Sequence, residues 1–113
     1  MATAFRNILQ SEIGTDEELV ISVATVARAT IIGLSLTNLT GGIILATIRI
    51  VNTTETSPND SAYFIKDVVV PPNQSLRVIN GGEKLILAGD MEVYVKSNTA
   101  ASLDLIASYV EIT

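Results

Sequence analysis

The sequence contains no cysteine and no histidine, and each absence removes a class of function. Without cysteine the chain can form neither disulfides nor thiolate metal sites. Without histidine it lacks the usual general base near neutral pH and the commonest metal ligand. The two absences also remove the best protein nucleophile and its usual activating partner. The composition therefore predicts that the protein is not an enzyme and uses no metal or cofactor.

Aromatic and charged residues are also scarce. There is no tryptophan, aromatic residues make up 4% and charged residues 17%, and the net charge is −5. Stacking of bases needs exposed aromatic faces, and a phosphate backbone is repelled by negative charge, so we expect no direct nucleic-acid partner. No stretch approaches the ~20 apolar residues of a membrane span, and the first ten residues lack a signal-peptide pattern. We expect a soluble chain, made in the cytoplasm, without a membrane partner.

The pattern that is present favours β-structure. The chain has 113 residues, of which 48% are hydrophobic, enough for one domain spanning residues 1–113. Valine, isoleucine and threonine recur in short apolar stretches separated by turn residues about every ten positions, and no window has helical periodicity. The sequence predicts an all-β, single-domain antiparallel β-sandwich, jelly-roll or Ig-like, with about seven or eight strands and no helix longer than about two turns.

The predicted strands are bounded by residues that stop a sheet ladder. Proline cannot donate a ladder hydrogen bond, and glycine and asparagine accept turn conformations. Such residues at Gly14, Pro71-Pro72, Asn80-Gly81-Gly82 and Gly89 delimit strands, and residues 52–60 predict an exposed loop. Residues 43–51 are apolar on both parities, which predicts a central strand or one covered by another subunit. Residues 3–9 form an arm or a first strand. The other predicted strand segments are residues 19–24, 30–37, 43–51, 63–70, 76–79, 84–87, 91–96 and 103–112.

Candidate chemical sites in the sequence are weak. Asp67, Asp90 and Asp104 lie at strand ends and could serve as an acid/base pair on a glycoside, but no spacing joins any two of them, so turn carboxylates are the favoured reading. Residues 16–18 lack the spacing of a calcium loop, and Asn80-Gly81-Gly82 lacks the lysine and helix of a phosphate loop. The serines have no activating base among the side chains present: Ser11, Ser75 and Ser108.

The order of motifs resembles a family of small virion structural proteins of tailed bacteriophages, including phages of cyanobacteria. The matching segments are MATAFRN followed by a Gly-Thr turn, then IIGLSLTNLT, then YFIKDVVVPPNQSLRVINGGEKLILAGDMEVYVKSN, and finally ASLDLIASYVEI. They cover nearly the whole chain. The resemblance implies a β-sandwich that binds other virion proteins, and it carries over no catalytic residues.

Three functions follow as hypotheses. The first is a capsid cement or decoration protein, bound to the major capsid protein in the virion and homo-oligomeric, with a trimer favoured. The second is a neck, tail or fibre-adaptor component. The third is a carbohydrate- or ligand-binding module using residues near Tyr63 or Tyr94, which the shortage of aromatic residues disfavours.

Both chain termini are candidate contact segments. Residues 1–12 form either an extended N-terminal arm or the first strand of the sandwich, and they carry apolar side chains beside the polar Arg6 and Asn7. Because open sheet edges and apolar arms mediate subunit contacts, we expect an interface with other subunits or with the shell at both ends of the chain. Its predicted residues are Phe5, Ile8, Leu9, Tyr109, Val110 and Ile112.

Overall fold

The computed structural model describes residues 2–79 and 84–113, and these residues form an all-β sandwich with no helix. Nine strands alternate with short turns. Their bounds are β1 Thr3–Ile13, β2 Glu18–Ser22, β3 Arg28–Asn38, β4 Ile44–Asn52, β5 Ser61–Val70, β6 Ser75–Ile79, β7 Leu85–Leu87, β8 Met91–Ser97 and β9 Leu103–Ile112. The predicted fold class is confirmed. The predicted hairpin turn at Asn80-Gly81-Gly82 lies outside the described residues.

The strands form two antiparallel sheets. Sheet 1 has the order β1-β9-β3-β6, with β7 pairing the same side of β3, and sheet 2 has the order β2-β8-β4-β5. Strand pairs are nested along the chain: β1 with β9, β2 with β8, β3 with β6 and β7, and β4 with β5. One long hairpin rolled into two sheets gives this nesting, which is the jelly roll and not the immunoglobulin order.

The core lies between the two sheets and follows the alternation of each strand. In β9, Leu103, Leu105, Ala107 and Tyr109 point inward and are buried. The apolar strand β4 is central in sheet 2, between β8 and β5, so its inward residues Ile44, Ala46 and Ile48 are fully buried.

A buried asparagine fastens one end of the sandwich. Asn38, at the end of β3, is 1% exposed, and its side-chain nitrogen donates to the carbonyls of Gly42 (2.8 Å), Val70 (3.0 Å) and Pro71 (3.1 Å). Its side-chain oxygen accepts from the N–H and hydroxyl of Thr40, both at 2.8 Å. Because Val70 ends β5, this side chain ties sheet 1 to sheet 2.

The N-terminal segment is part of the protomer's own sheet. Residues 3–13 form β1 and pair antiparallel with β9, from Thr3 opposite Ile112 to Ile13 opposite Leu103. Of the two alternatives left by the sequence, the structure has the first strand of the sandwich, and this strand extends beyond Leu9 to Ile13. β1 is an edge strand of sheet 1.

Candidate assembly surface

The outward face of sheet 1 carries a group of exposed large apolar side chains. The register places Phe5 beside Val110, Val110 beside Thr30, and Thr30 beside Ile86. A second row runs from Leu9 through Ile106 to Ser35. We call this surface the sheet 1 face, defined by Phe5, Leu9, Ile32, Ile86, Ile106, Val110 and Ile112.

Four of these seven side chains are at least half exposed. Phe5 is 81% exposed, Leu9 74%, Ile86 70% and Ile106 50%. Between them lie hydroxyl and amide side chains that include Asn7, Thr30, Ser35 and Ser108, whereas charged outward residues stand at the margins: Arg28, Arg77 and Asp104. A flat apolar surface without central charge is typical of a protein contact surface.

A shallow hollow lies within the sheet 1 face at Gly33. The strand register shifts between Ile31 and Gly33, so Ile32 and Gly33 form a bulge opposite Ser108. No atom lies within 4 Å of the place where a Cβ on Gly33 would stand. The missing side chain leaves a depression that a partner's side chain can enter, and its rim is lined by Ile32, Ser35, Arg77, Ile106 and Ser108.

The predicted interface residues divide between the two sides of sheet 1. Phe5, Leu9, Val110 and Ile112 belong to the sheet 1 face. Ile8 points inward and packs against the core, and Tyr109 is buried at 8% exposure. The alternation of β1 and β9 causes this division, because neighbouring residues of a strand point to opposite faces. Tyr109 is therefore buried in the protomer, and Ile8 is partly covered by its core and does not belong to the sheet 1 face.

Sequence reasoning missed three members of the face: Ile32, Ile86 and Ile106. A usable signal was present, since the segments around Ile86 and Ile106 are apolar on both parities, which indicates a strand covered on both sides. Ile32 is outward only because of the bulge at Gly33, and bulges are not visible in the hydrophobic pattern.

The outward face of sheet 2 has a different chemistry. Leu19, Tyr94, Arg49 and Tyr63 form one cross-strand row. The guanidinium of Arg49 donates to both carboxylate oxygens of Glu17 at 2.9 Å and lies 5.2 Å from the Tyr94 ring centroid. The ammonium of Lys66 lies 4.9 Å from the Tyr63 ring centroid. We call this surface the sheet 2 face, defined by Glu17, Arg49, Tyr63, Lys66, Glu92 and Tyr94.

Hydrogen bonds on the sheet 2 face shift the pKa values of Glu17, Arg49 and Tyr94. The hydrogen bond from Arg49 holds the pKa of Glu17 below its ordinary value, and the same bond raises the pKa of Arg49. The Tyr94 hydroxyl donates to Glu92 at 3.0 Å, which raises the pKa of Tyr94. Both tyrosine rings have cations of this chain over them, so they are not open stacking platforms for a sugar.

The three aspartates considered from the sequence lie on different elements, and each accepts a hydrogen bond from a different residue. Asp104 accepts from the N–H of Glu12 at 3.0 Å and supports the bulge in β1. Asp90 accepts from the Thr25 hydroxyl at 2.7 Å, and Asp67 accepts from the Thr47 hydroxyl at 3.4 Å at a bulge in β5. Within the acidic segment of residues 16–18, Glu17 pairs with Arg49, and the Glu18 carboxylate accepts a hydrogen bond from the Gln10 side chain.

Across residues 2–79 and 84–113, no three acidic side chains come together in a group that could hold a metal ion. The same residues include no helix with the length and apolar character needed to cross a bilayer.

Comparison with known proteins adds information about the fold. No protein-family model matches the chain, and no curated protein is significantly similar to it. A subunit of Bacillus endospore appendages, described as disulfide-linked pili, has a TM-score of 0.50 and 11% identity, with 98% of this chain and 88% of that chain covered. A chain of the T13 viral particle of infectious bursal disease virus (IBDV) has a TM-score of 0.54 and 8% identity.

The two likenesses differ in coverage. The match to the IBDV particle covers 96% of this chain but 30% of that chain, so this chain spans less than a third of the viral protein. The match to the spore appendage covers most of both chains. What the three proteins share is the fold.

Proposed function

We propose that the protein is a structural subunit of a virion and that it binds other subunits through the sheet 1 face. The observation that carries this proposal is the group of exposed apolar side chains on one sheet face, whose charged residues stand at its margins. With strands of 11 residues at about 3.3 Å each and four strands at about 4.8 Å spacing, the sheet covers on the order of 600 Å². That area approaches the roughly 800 Å² per partner of a stable protein interface.

Within this proposal the favoured role is capsid cement. The protein would sit on the shell, bound to the major capsid protein and to copies of itself, and would stabilise the shell without catalytic activity. The absence of histidine and cysteine, the separation of the carboxylates and the resemblance to phage virion proteins support this role. A neck, tail or fibre-adaptor position uses the same kind of surface.

A second candidate is a subunit of a filament. The near-complete coverage of both chains in the match to the spore appendage favours it. This sequence has no cysteine, so a filament of this chain would be held by non-covalent contacts, unlike the disulfide-linked pili. Electron microscopy of the purified protein separates the candidates, since filaments form only under the second.

The copy number in purified particles tests the favoured role. Quantitative mass spectrometry should find hundreds of copies, in a fixed ratio to the major capsid protein, for a cement protein. A few copies to a few dozen would place the protein in the neck or tail, and none would contradict a virion role.

A matched pair of substitutions tests the surface. Ile106→Asp puts a carboxylate in the middle of the sheet 1 face, and Val69→Asp puts one at a residue of similar exposure, 50% against 53%, on sheet 2. Burying an isoleucine side chain in a contact contributes about 1.5–3 kcal/mol to the binding free energy, and a carboxylate loses this contribution. We therefore expect Ile106→Asp to reduce incorporation into particles at least tenfold. Val69→Asp should incorporate normally. Equal incorporation of both variants would contradict the proposed surface.

A further inference from the structure

β1 presents an open ladder of backbone hydrogen-bonding groups. Ala2 and Thr113 exchange two backbone hydrogen bonds, of 3.0 and 2.9 Å, and this pair sets the alternation along the two strands. Even-numbered residues of β1 therefore bond to β9, whereas Thr3, Phe5, Asn7 and Leu9 direct their N–H and C=O groups away from it. Among the described residues, no strand pairs with that side of β1.

The other sheet edges carry features that discourage pairing, and β1 does not. β5 has two register shifts, with Lys66 and Asp67 beside them, and Asp67 has a φ of 50°. β2 and β6 have five residues each and β7 has three. Short, bulged and charged edges resist strand addition.

The register of β1 is regular where its edge is open. Residues 3–10 pair with β9 without a shift, and the bulge begins only after Gln10. These eight residues contain no proline, and their one charged side chain, Arg6, is paired with Glu111 at 2.9 Å. A strand that is long, regular and without unpaired charge is an open template for another strand.

We propose that β1 pairs antiparallel with β1 of a second copy of this chain, about a two-fold axis at Asn7. Residues with free backbone groups must face each other, so odd-numbered residues pair with odd-numbered ones. The register centred on Asn7 places Phe5 opposite the second copy's Leu9 and Thr3 opposite its Ser11. The two adjacent registers place Phe5 opposite Asn7 or Ser11 of the second copy.

The side chains favour this partner over an unrelated strand. In the Asn7 register apolar side chains meet apolar ones on the outward side, and Arg6 meets the second copy's Ile8 on the inward side, so no like charges stand directly opposite each other. In a two-fold contact the open β1 edges of both copies gain backbone hydrogen-bond partners at the same time. It is a two-fold contact, distinct from the trimer that the sequence resemblance favours.

The pairing would join two sheet 1 faces into one surface. Phe5 continues to Val110 and Leu9 to Ile106 within each copy, so an apolar row would cross the axis from Ile106 and Leu9 of one copy to Phe5 and Val110 of the other. The inference deepens the proposed function and rests on it for its biological meaning, because the doubled face is the surface offered to the shell.

Two substitutions at Asn7 test the backbone contact. The Asn7 N–H is not used within the protomer, so Asn7→Pro removes a donor only from the proposed dimer, and proline is tolerated at such edge positions. Asn7→Thr changes the side chain but keeps the N–H. Light scattering should find the wild type and Asn7→Thr dimeric and Asn7→Pro at least tenfold weaker in dimerisation, with matching circular dichroism.

A single introduced cysteine tests the register even if Asn7→Pro fails to fold. Directly opposed residues of a hydrogen-bonded pair have Cα atoms about 5.5 Å apart, within the range of a disulfide. Asn7→Cys should form a dimer under mild oxidation, whereas Ser75→Cys, exposed on β6 at the opposite edge of sheet 1, should not.

A wild type that is monomeric at every concentration would overturn the inference. So would an Asn7→Pro variant that dimerises like the wild type, or an Asn7→Cys variant that cross-links no faster than Ser75→Cys. If dimerisation fails while particle incorporation remains sensitive to Ile106→Asp, only this inference falls and the proposed function stands. If dimerisation holds while particles contain no copies, the proposed function falls.

Discussion

The two outward faces belong to sheets that share one core, yet they interact with water in opposite ways. On the sheet 2 face, Arg49 pairs with Glu17, and Arg49 and Lys66 stand over tyrosine rings. On the sheet 1 face the central side chains are apolar or carry hydroxyl or amide groups, and Phe5 and Leu9 are 81% and 74% exposed. A face whose charges pair within the protomer suits solvent, whereas an apolar face with its charges only at the margins suits a partner.

The largest effect is expected from a substitution that removes the hydrogen bonds joining sheet 1 to sheet 2. Asn38→Asp replaces the nitrogen that donates to three carbonyls with an oxygen that repels them, in a buried position. Buried groups left unpaired cost about 1–3 kcal/mol each, so we expect a loss of roughly 3–5 kcal/mol in the free energy of unfolding. Urea unfolding measures it.

Asn98→Asp is the control for that loss. The hydrogen bonds of Asn98 from Leu45 (2.9 Å) and Thr99 (3.1 Å) use its side-chain oxygen, which aspartate keeps. This variant should lose less than about 1 kcal/mol. Equal losses for the two variants would show that Asn38 does not fasten the sheets.

Two glycine substitutions compare a position where the fold has no room for a Cβ with a position where the sheet 1 face has room. A Cβ on Gly89 would collide with the backbone carbonyl of Thr25, whereas a Cβ on Gly33 meets nothing within 4 Å. We expect Gly89→Ala to lower the free energy of unfolding by about 1–3 kcal/mol because backbone would have to move. Thermal unfolding should find Gly33→Ala close to the wild type, and a large loss there would mean that the protomer itself needs the hollow.

The smallest effect is expected on the sheet 2 face. Glu17→Gln removes the paired carboxylate, and partly exposed ion pairs contribute up to about 1 kcal/mol. Because folding lowers the pKa of Glu17, its stabilisation is present above the ordinary glutamate pKa and is lost as the pH falls through the folded value. The difference in unfolding free energy between variant and wild type should therefore be largest near neutral pH and vanish in acid. A difference that persists in acid would point to packing and not charge.

The sequence predicted the fold class and most strand positions because turns and apolar alternation are local properties. Pro71-Pro72 and Gly89 do follow strands β5 and β7, as predicted. Strand order could not be predicted from the sequence, because β1 pairs with β9 from the opposite end of the chain and no local pattern encodes that pairing. Jelly-roll and Ig-like orders therefore stayed open until the structure distinguished them.

The candidate site could be predicted only in part, because local patterns do not show which strands pair. Apolar residues near the termini identified Phe5, Leu9, Val110 and Ile112, but the sequence could not separate them from the inward-facing Ile8 and Tyr109. In β9 both parities are apolar, so the direction of each side chain depends on which sheet lies beneath it. Ile86 and Ile106 join the face only through pairing with distant strands.

Hydroxyl-radical footprinting of the free protein and of the assembled particle tests the central claim most directly. The free protein should be modified at Phe5 and Leu9 on the sheet 1 face and at Tyr63 on the sheet 2 face, since all three are exposed. In the particle, the account predicts strong protection of Phe5 and Leu9 while Tyr63 stays reactive. Protection of Tyr63 with unchanged modification of Phe5 and Leu9 would contradict it.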